Sequence, residues 1–96
     1  MTESSPDSLR VVVDGEIDIA TVGDLVAGLE VAEASDAPAI VLDLSNVSFL
    51  DSTGVSALVR GALRSSEHGN RLSVVSSPAV DRVIDLCGLR DRLPLT

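Results

Sequence analysis

Hydrophobic and polar positions along this chain switch between two periods. Leu9, Val11 and Val13 alternate with Arg10, Val12 and Asp14 before Gly15, which predicts a strand over Leu9–Val13. Val22, Leu25, Val26, Leu29 and Ala32 then recur at helical spacing and predict a helix up to about Ser35, with Pro38 as a stop. Ahead of it, Asp18–Thr21 is a candidate cap, and Thr21-Val22-Gly23-Asp24 has the polar-x-x-acid form of a helix start. Ala39-Ile40-Val41-Leu42-Asp43-Leu44 is a nearly continuous apolar run, the pattern of a strand covered on both faces.

Val47-Ser48-Phe49-Leu50 leads into Asp51-Ser52-Thr53-Gly54, after which Val55, Leu58, Val59, Ala62 and Leu63 mark one helix face. His68-Gly69-Asn70 is its stop, with Gly69 free to take positive φ. Leu72–Ser76 predicts another strand. Ser77 is then an N-cap with Pro78 at the first helical position, Val80, Val83, Ile84 and Cys87 continue that helix, and Gly88 ends it. Leu93–Leu95 is a candidate for one more short strand. The order β-α-β-α-β-α-(β) predicts an α/β domain with a mostly parallel sheet of four to five strands and helices packed against it. Met1–Ser8 is polar and is read as a flexible tail, leaving residues 9–96 as the domain. In such sheets functional groups gather at the carboxyl ends of strands, where Asp51–Gly54 sits.

Composition narrows the chemistry. A chain of 96 residues, 45% hydrophobic, builds one core, and Phe49 is its only aromatic. The 15 acidic against 7 basic residues give a net charge of −8, which argues against nucleic acid and anionic membranes as partners. All the basic residues are arginine, so lysine-dependent phosphate binding and Schiff-base chemistry are excluded. Cys87 has no internal disulfide partner, and one Cys with one His is too few for a zinc site. Neither a signal peptide nor a membrane span is present, so the expected location is cytoplasmic, with no cofactor and no metal.

Asp51–Gly54 carries the candidate chemistry. With a helix starting near Thr53, Ser52 stands at or next to the N-cap, where free amides and the helix dipole favour an added anion. A phosphoryl group there adds about −1.5 to −2 charges without unfolding the helix end, which suits a switch. On these residues alone a plain helix cap is the better-fitting reading, and it is their setting between a hydrophobic strand and an amphipathic helix that favours the switch. Enzyme readings fit worse. Dimeric aspartic proteases carry Asp-Thr-Gly or Asp-Ser-Gly, whereas here Thr53 separates Ser52 from Gly54, and those proteins are all-β. A serine hydrolase needs a G-x-S-x-G elbow and a nearby histidine, but His68 falls roughly 20 Å from Ser52 along the helix. His68 reads as a solvated residue at a helix end, Cys87 as core, and Asp14, Glu16 and Asp18 as solvated charge rather than metal ligands.

The run from Ile40 through Asp43-Leu44-Ser45-Asn46 and Phe49-Leu50-Asp51-Ser52-Thr53-Gly54 to Val55 resembles the signature of STAS domains, the family of sulphate transporters and anti-sigma factor antagonists. Gly15-Glu16-Ile17-Asp18 matches that family's recurring turn, and Ser77-Pro78-Ala79-Val80 and Leu86-Cys87-Gly88-Leu89 resemble its last helix entry and exit. Asp-Ser-Thr-Gly after a hydrophobic strand resembles the free-standing bacterial antagonists in particular. The resemblance implies a STAS domain over residues 9–96 that is a binding protein and kinase substrate, not an enzyme. The unmodified form would bind an anti-sigma factor with serine kinase activity that uses Mg-ATP, releasing the sigma factor. Phosphorylation of Ser52 would end the association, and a PP2C-type phosphatase would restore it. Asp51 would orient the acceptor hydroxyl, Thr53 and Gly54 would form the helix start, and Gly15, Glu16 and Asp18 would share the docking face.

Departures from the pattern also enter. Gly54-Val55-Ser56 replaces the Gly-hydrophobic-Gly of many relatives, so Ser56 is a candidate for altered partner fit. The short N-terminal tail predicts that an extra first strand of relatives is missing, and no final amphipathic helix precedes Thr96. Short STAS proteins also serve as subunits of bacterial ABC-type lipid transport complexes docked on the ATPase. That is the alternative function, and the phosphorylatable Ser52 favours the sigma pathway over it.

Overall fold

The computed structural model describes the backbone of residues 2–4 and all of residues 8–96. Strands β1 (Thr2–Ser4), β2 (Ser8–Val12), β3 (Gly15–Ile17), β4 (Ala39–Asp43), β5 (Val47–Leu50) and β6 (Arg71–Val75) alternate with helices α1 (Val22–Ala34), α2 (Ser52–His68) and α3 (Pro78–Leu86). A short 3₁₀ turn follows at Arg90–Arg92. The α/β arrangement and its mostly parallel pairing are as the sequence predicts. The strands are divided between a four-stranded sheet, β1-β2-β4-β6, and a two-stranded sheet, β3-β5.

Both sheets grow from one pair of parallel strands. Leu9 of β2 lies opposite Ile40 of β4 and Val11 opposite Leu42, and β6 continues on the other side with Leu72 against Ile40. Beyond β2 and β4 both chains bend. Gly15 takes φ +83°, and Asp43 Oδ1 accepts the Ser45 N–H at 2.9 Å to start the turn into β5. The Ser45 hydroxyl and N–H, followed by the paired Arg10 guanidinium, hold the Asp43 carboxyl below the usual carboxylate range. The paths meet again as β3 and β5, with Ile17 opposite Leu50. Three- and four-residue strands are too short to declare a period, which is why β3 and β5 escape the sequence reading.

One core fills the interior. Leu9 and Val11 of β2 and Ile40 and Leu42 of β4 face Leu25, Leu29, Leu58, Val80 and Ile84, all nearly inaccessible. Burying one such leucine or isoleucine contributes about 1.5–3 kcal/mol. No residue of β4 is exposed, as its continuous apolar run predicts. Gly61 lets α2 approach α1 closely, since a Cβ there would fall 2.7 Å from Leu29 Cδ1.

Several expectations need correction. Thr2–Ser4 form an edge strand antiparallel to Leu9–Val11, where a tail without the extra first strand is expected; the backbone pairing with β2 supplies what their polar side chains do not advertise. Met1 and residues 5–7 of that tail, like any flexibility ascribed to it, lie outside the described residues. Thr21 makes no side-chain cap to α1. Cys87 is exposed rather than core, because α3 ends at Leu86 and the helical stripe no longer aims inward one residue later. Leu95 contributes only a single parallel bridge to Val74 in place of a strand. The α3 entry is as expected: Ser77 Oγ accepts the Val80 N–H at 3.2 Å, with Pro78 following. Gly69 closes α2 in the left-handed region at φ +80°.

Candidate functional site

The two-stranded sheet ends at the carboxyl termini of β3 and β5, and there the chain makes two exits side by side. The Asp51 N–H donates to Ile17 O at 3.1 Å, which joins them. From β5 the chain enters α2 at once. Asp51 is extended (φ −98°, ψ −175°) and acts as N-cap, its Oδ1 accepting the Gly54 N–H at 3.1 Å while its carbonyl accepts the Val55 N–H at 3.0 Å. The cap is therefore Asp51, and Ser52 stands next to it as the first helical residue. Its side chain is exposed and makes no hydrogen bond among the described residues. Thr53 is half-buried.

Gly54 is required by packing. A Cβ on it would lie 2.3 Å from Leu50 Cδ1 and 2.9 Å from Ile17 Cγ2. Glycine thus lets the first turn of α2 settle onto the ends of β3 and β5, and the backbone under Ser52 is held from below.

From β3 the chain leaves through a tight turn built by Asp18. Its Oδ1 accepts the N–H groups of Ala20 at 2.9 Å and Thr21 at 3.1 Å. Thr21 Oγ1 accepts the Asp18 N–H at 2.9 Å and donates to Glu16 O at 2.7 Å, so Thr21 closes this loop instead of capping α1. Asp18 is thereby spent on local structure. Glu16 is exposed, and the Gly15 N–H donates to Asn46 O at 3.1 Å. Ile19, at the crest of the turn, is 81% exposed, and Phe49, opposite Glu16, is 47% exposed.

Of the sequence-predicted residues, Asp18, Asp51, Ser52, Thr53 and Gly54 gather at the carboxyl end of the small sheet, while Glu16 lies within β3 and Gly15 opens it at the other end, opposite Val47; Ser56 lies one helical turn along α2 from Ser52. His68 ends the 17-residue α2 on the far side. Neither Ile19 nor Phe49 is among the site residues that the sequence predicts. Exposure inverts their usual meaning, and only the turn at Asp18 and the pairing of β5 with β3 alone reveal it.

Beside Ser52 runs a groove of about 370 Å³ between α1 and α2, walled by Val22 and Val26 on one side and by Ser52, Ser56, Arg60 and Arg64 on the other. Arg64 Nε reaches both Glu33 carboxylate oxygens, at 3.2 and 3.3 Å. Arg60 is exposed and has no ion-pair partner among the described residues. The sequence signal for this row is the repeated spacing of four on α2.

What the arrangement offers is an exposed serine hydroxyl on a helix start held by the Asp51 cap and the close packing at Gly54, flanked by an exposed loop. Among the described residues no group of three His, Cys, Asp or Glu side chains is arranged to hold a metal ion. No helix there is long and apolar enough to cross a membrane.

Comparison with known proteins agrees with this fold. Residues 1–95 match the family described as "Mlab, STAS domain". An anti-sigma-B factor antagonist of Staphylococcus epidermidis is 30% identical over 91 residues, covering 94% of this chain and 84% of the relative. The crystal structure of an anti-sigma factor antagonist from Mycobacterium paratuberculosis superposes with a TM-score of 0.87 at 34% identity, over 99% of this chain and 81% of its own. The anti-sigma factor antagonist SpoIIAA in its unphosphorylated form shares the fold, with a TM-score of 0.78 at 21% identity over 100% of this chain and 84% of its own; a phosphorylated form of SpoIIAA gives 0.73. The chain belongs to the STAS domain family, with anti-sigma factor antagonists as its relatives there.

Proposed function

We propose that this domain is an anti-sigma factor antagonist that works by partner switching at Ser52. The observation that carries the reading is the position of Ser52 at the first position of α2, exposed and without a hydrogen bond among the described residues, on a backbone fixed by the Asp51 cap and by Gly54. Unmodified, the face formed by Gly15–Asp18 and the start of α2 binds an anti-sigma factor, and the sigma factor is released. The anti-sigma factor, acting as a serine kinase with Mg-ATP, transfers the γ-phosphoryl group to Ser52 Oγ, with ADP and the hydroxyl proton as the other products. Asp51 orients the acceptor and Thr53 helps shape the helix start. The added charge of about −1.5 to −2 sits within the docking face and ends binding, while the helix N-terminus tolerates it. A PP2C-type phosphatase hydrolyses the ester and restores the binding form. In this cycle the domain is a cytoplasmic regulator and a substrate, and it catalyses nothing itself.

The family resemblance and the names of the relatives support this reading, and the test is direct. Wild-type, Ser52→Ala and Ser52→Asp proteins serve as baits in a lysate of the source organism. Capture of an ATP-binding anti-sigma factor by the first two and not the third is the expected outcome. With ATP added, wild type should release it and Ser52→Ala should hold it. Loss of binding by Ser52→Ala on adding ATP overturns the assignment to Ser52. Equal capture of a transporter ATPase by all three baits supports the lipid-transport alternative instead.

A further inference from the structure

The groove beside Ser52 has features that an acceptor hydroxyl alone does not need. Resting on the reading of Ser52 as a phosphorylated residue, we propose that the groove between α1 and α2 is the seat of the phosphate: the phosphoryl group on Ser52 turns into it and is held by the Arg60 guanidinium, with the Ser56 hydroxyl as a second donor.

Four observations converge. Ser52, Ser56, Arg60 and Arg64 advance along α2 four residues at a time and line one groove. Side chains at that spacing are neighbours, and those of a helix lean towards its N-terminus, so Arg60 leans towards Ser56 and Ser52. Ser52 and Arg60 are separated by about 12 Å of helix axis at 1.5 Å per residue, most of which an extended Arg60 covers in its own N-terminal lean, and the phosphoserine turns back along the groove for the remainder. Second, Arg60 has no ion-pair partner among the described residues, whereas Arg64 is neutralised by Glu33 at the far end of the groove. Third, the facing wall from α1 is Val22 and Val26, which offer the guanidinium no competing acceptor. Fourth, the neighbouring carboxylates are occupied: Asp51 accepts from the Gly54 N–H, and Asp18 from its own turn. In a chain of net charge −8, a free arginine along the row from the acceptor serine is the local exception.

Arg60 then acts on the modified state alone. The fork of a guanidinium matches phosphate oxygens, and the resulting charge-assisted hydrogen bonds draw the phosphate along the helix and away from the face shared with Gly15–Asp18. A phosphatase must first lift the group out, so Arg60 lengthens the life of the phosphorylated form.

The test uses phosphoserine installed at position 52 by genetic-code expansion, which requires neither kinase nor partner. Phosphorus NMR titrations compare the phosphorylated wild type with Arg60→Gln and with Arg82→Gln, an exposed α3 arginine outside the groove that makes the same change in net charge. A phosphoserine ordinarily has its second pKa at about 6. The expected result is a wild-type value at least about half a unit below that of Arg60→Gln, with Arg82→Gln tracking wild type. Coincident curves for wild type and Arg60→Gln overturn the proposal. Equal displacement of both variants also overturns it, since the effect would then be one of net charge. Amide NMR spectra verify that each variant is folded. The switch itself is read separately: phosphorylated protein that still binds the anti-sigma factor sinks the partner-switching reading and leaves the titration result intact.

Discussion

Two helices of this domain begin in the same way and are used differently. At α3, strand β6 gives way to Ser77, whose hydroxyl is buried, donates to Val47 O at 2.6 Å and accepts from the Val80 N–H. At α2, strand β5 gives way to Asp51, which takes the capping role and leaves the adjacent Ser52 outside, with no hydrogen bond among the described residues. One serine is spent on the fold, and the other is spared by an aspartate that does its work. The two starts are coupled, because Ser77 anchors the first residue of the strand whose last residue precedes Asp51. A phosphoryl group can be added where no hydrogen bond must first be broken, and that distinguishes Ser52 from Ser77 more sharply than sequence does.

The comparison is tested hardest at Ser77. Ser77→Ala removes a helix cap and a buried hydrogen bond together, and a loss of about 2 kcal/mol in urea unfolding is expected. A value below the error of the measurement would mean that the buried cap is dispensable and the contrast with Ser52 is empty. Gly54→Ala comes next. Its Cβ collides with Leu50 and Ile17, and overpacking costs about 1–3 kcal/mol, offset by the roughly 1 kcal/mol that alanine gains over glycine in a helix. A net loss near 1 kcal/mol is expected in the same unfolding assay, and the displaced helix start should weaken partner binding beyond that. Unchanged stability with unchanged binding would show that the first turn of α2 need not sit so close to β3 and β5.

Asp51 separates folding from chemistry. Asp51→Ala loses the acceptor for the Gly54 N–H and should cost about 1 kcal/mol, while Asp51→Asn keeps an oxygen there and should stay within a few tenths of wild type. If the carboxylate also orients the acceptor hydroxyl, Asp51→Asn should be phosphorylated several-fold more slowly at nearly full stability. Equal phosphorylation rates for wild type and Asp51→Asn would confine Asp51 to capping.

The helices and both capped starts are legible in the sequence because their signals are local. Five apolar residues at helical spacing outline each of α1 and α2, Gly69 ends α2 and Ser77-Pro78 starts α3, each within a residue or two. What escapes is structure that exists only through pairing. Gly15–Ile17 and Val47–Leu50 define each other, and Thr2–Ser4 are a strand only because Leu9–Val11 lie alongside. The site shares this division. Asp51–Gly54 is readable as a helix start, and the resemblance adds Gly15–Asp18. Their adjacency, by contrast, is created by the hydrogen bond from Asp51 to Ile17 and by the space that Gly54 leaves open. Arg60 and the groove depend on where α1 lies, which no spacing within α2 discloses.

The smallest expected effect decides the most. Ser52→Ala removes an exposed hydroxyl that has no hydrogen bond among the described residues, so its stability should lie within about 0.5 kcal/mol of wild type. Ser52→Asp should hold level or gain, because a negative charge in the first turn of a helix contributes about 0.3–1 kcal/mol at low salt, and added salt should erase the gain. Raising the charge at Ser52 therefore leaves the fold untouched, and any loss of partner binding by Ser52→Asp is a property of the surface. Were Ser52→Asp to unfold at markedly lower urea than Ser52→Ala, the same loss of binding would report a broken helix start. The two serines would then differ in exposure alone and not in use.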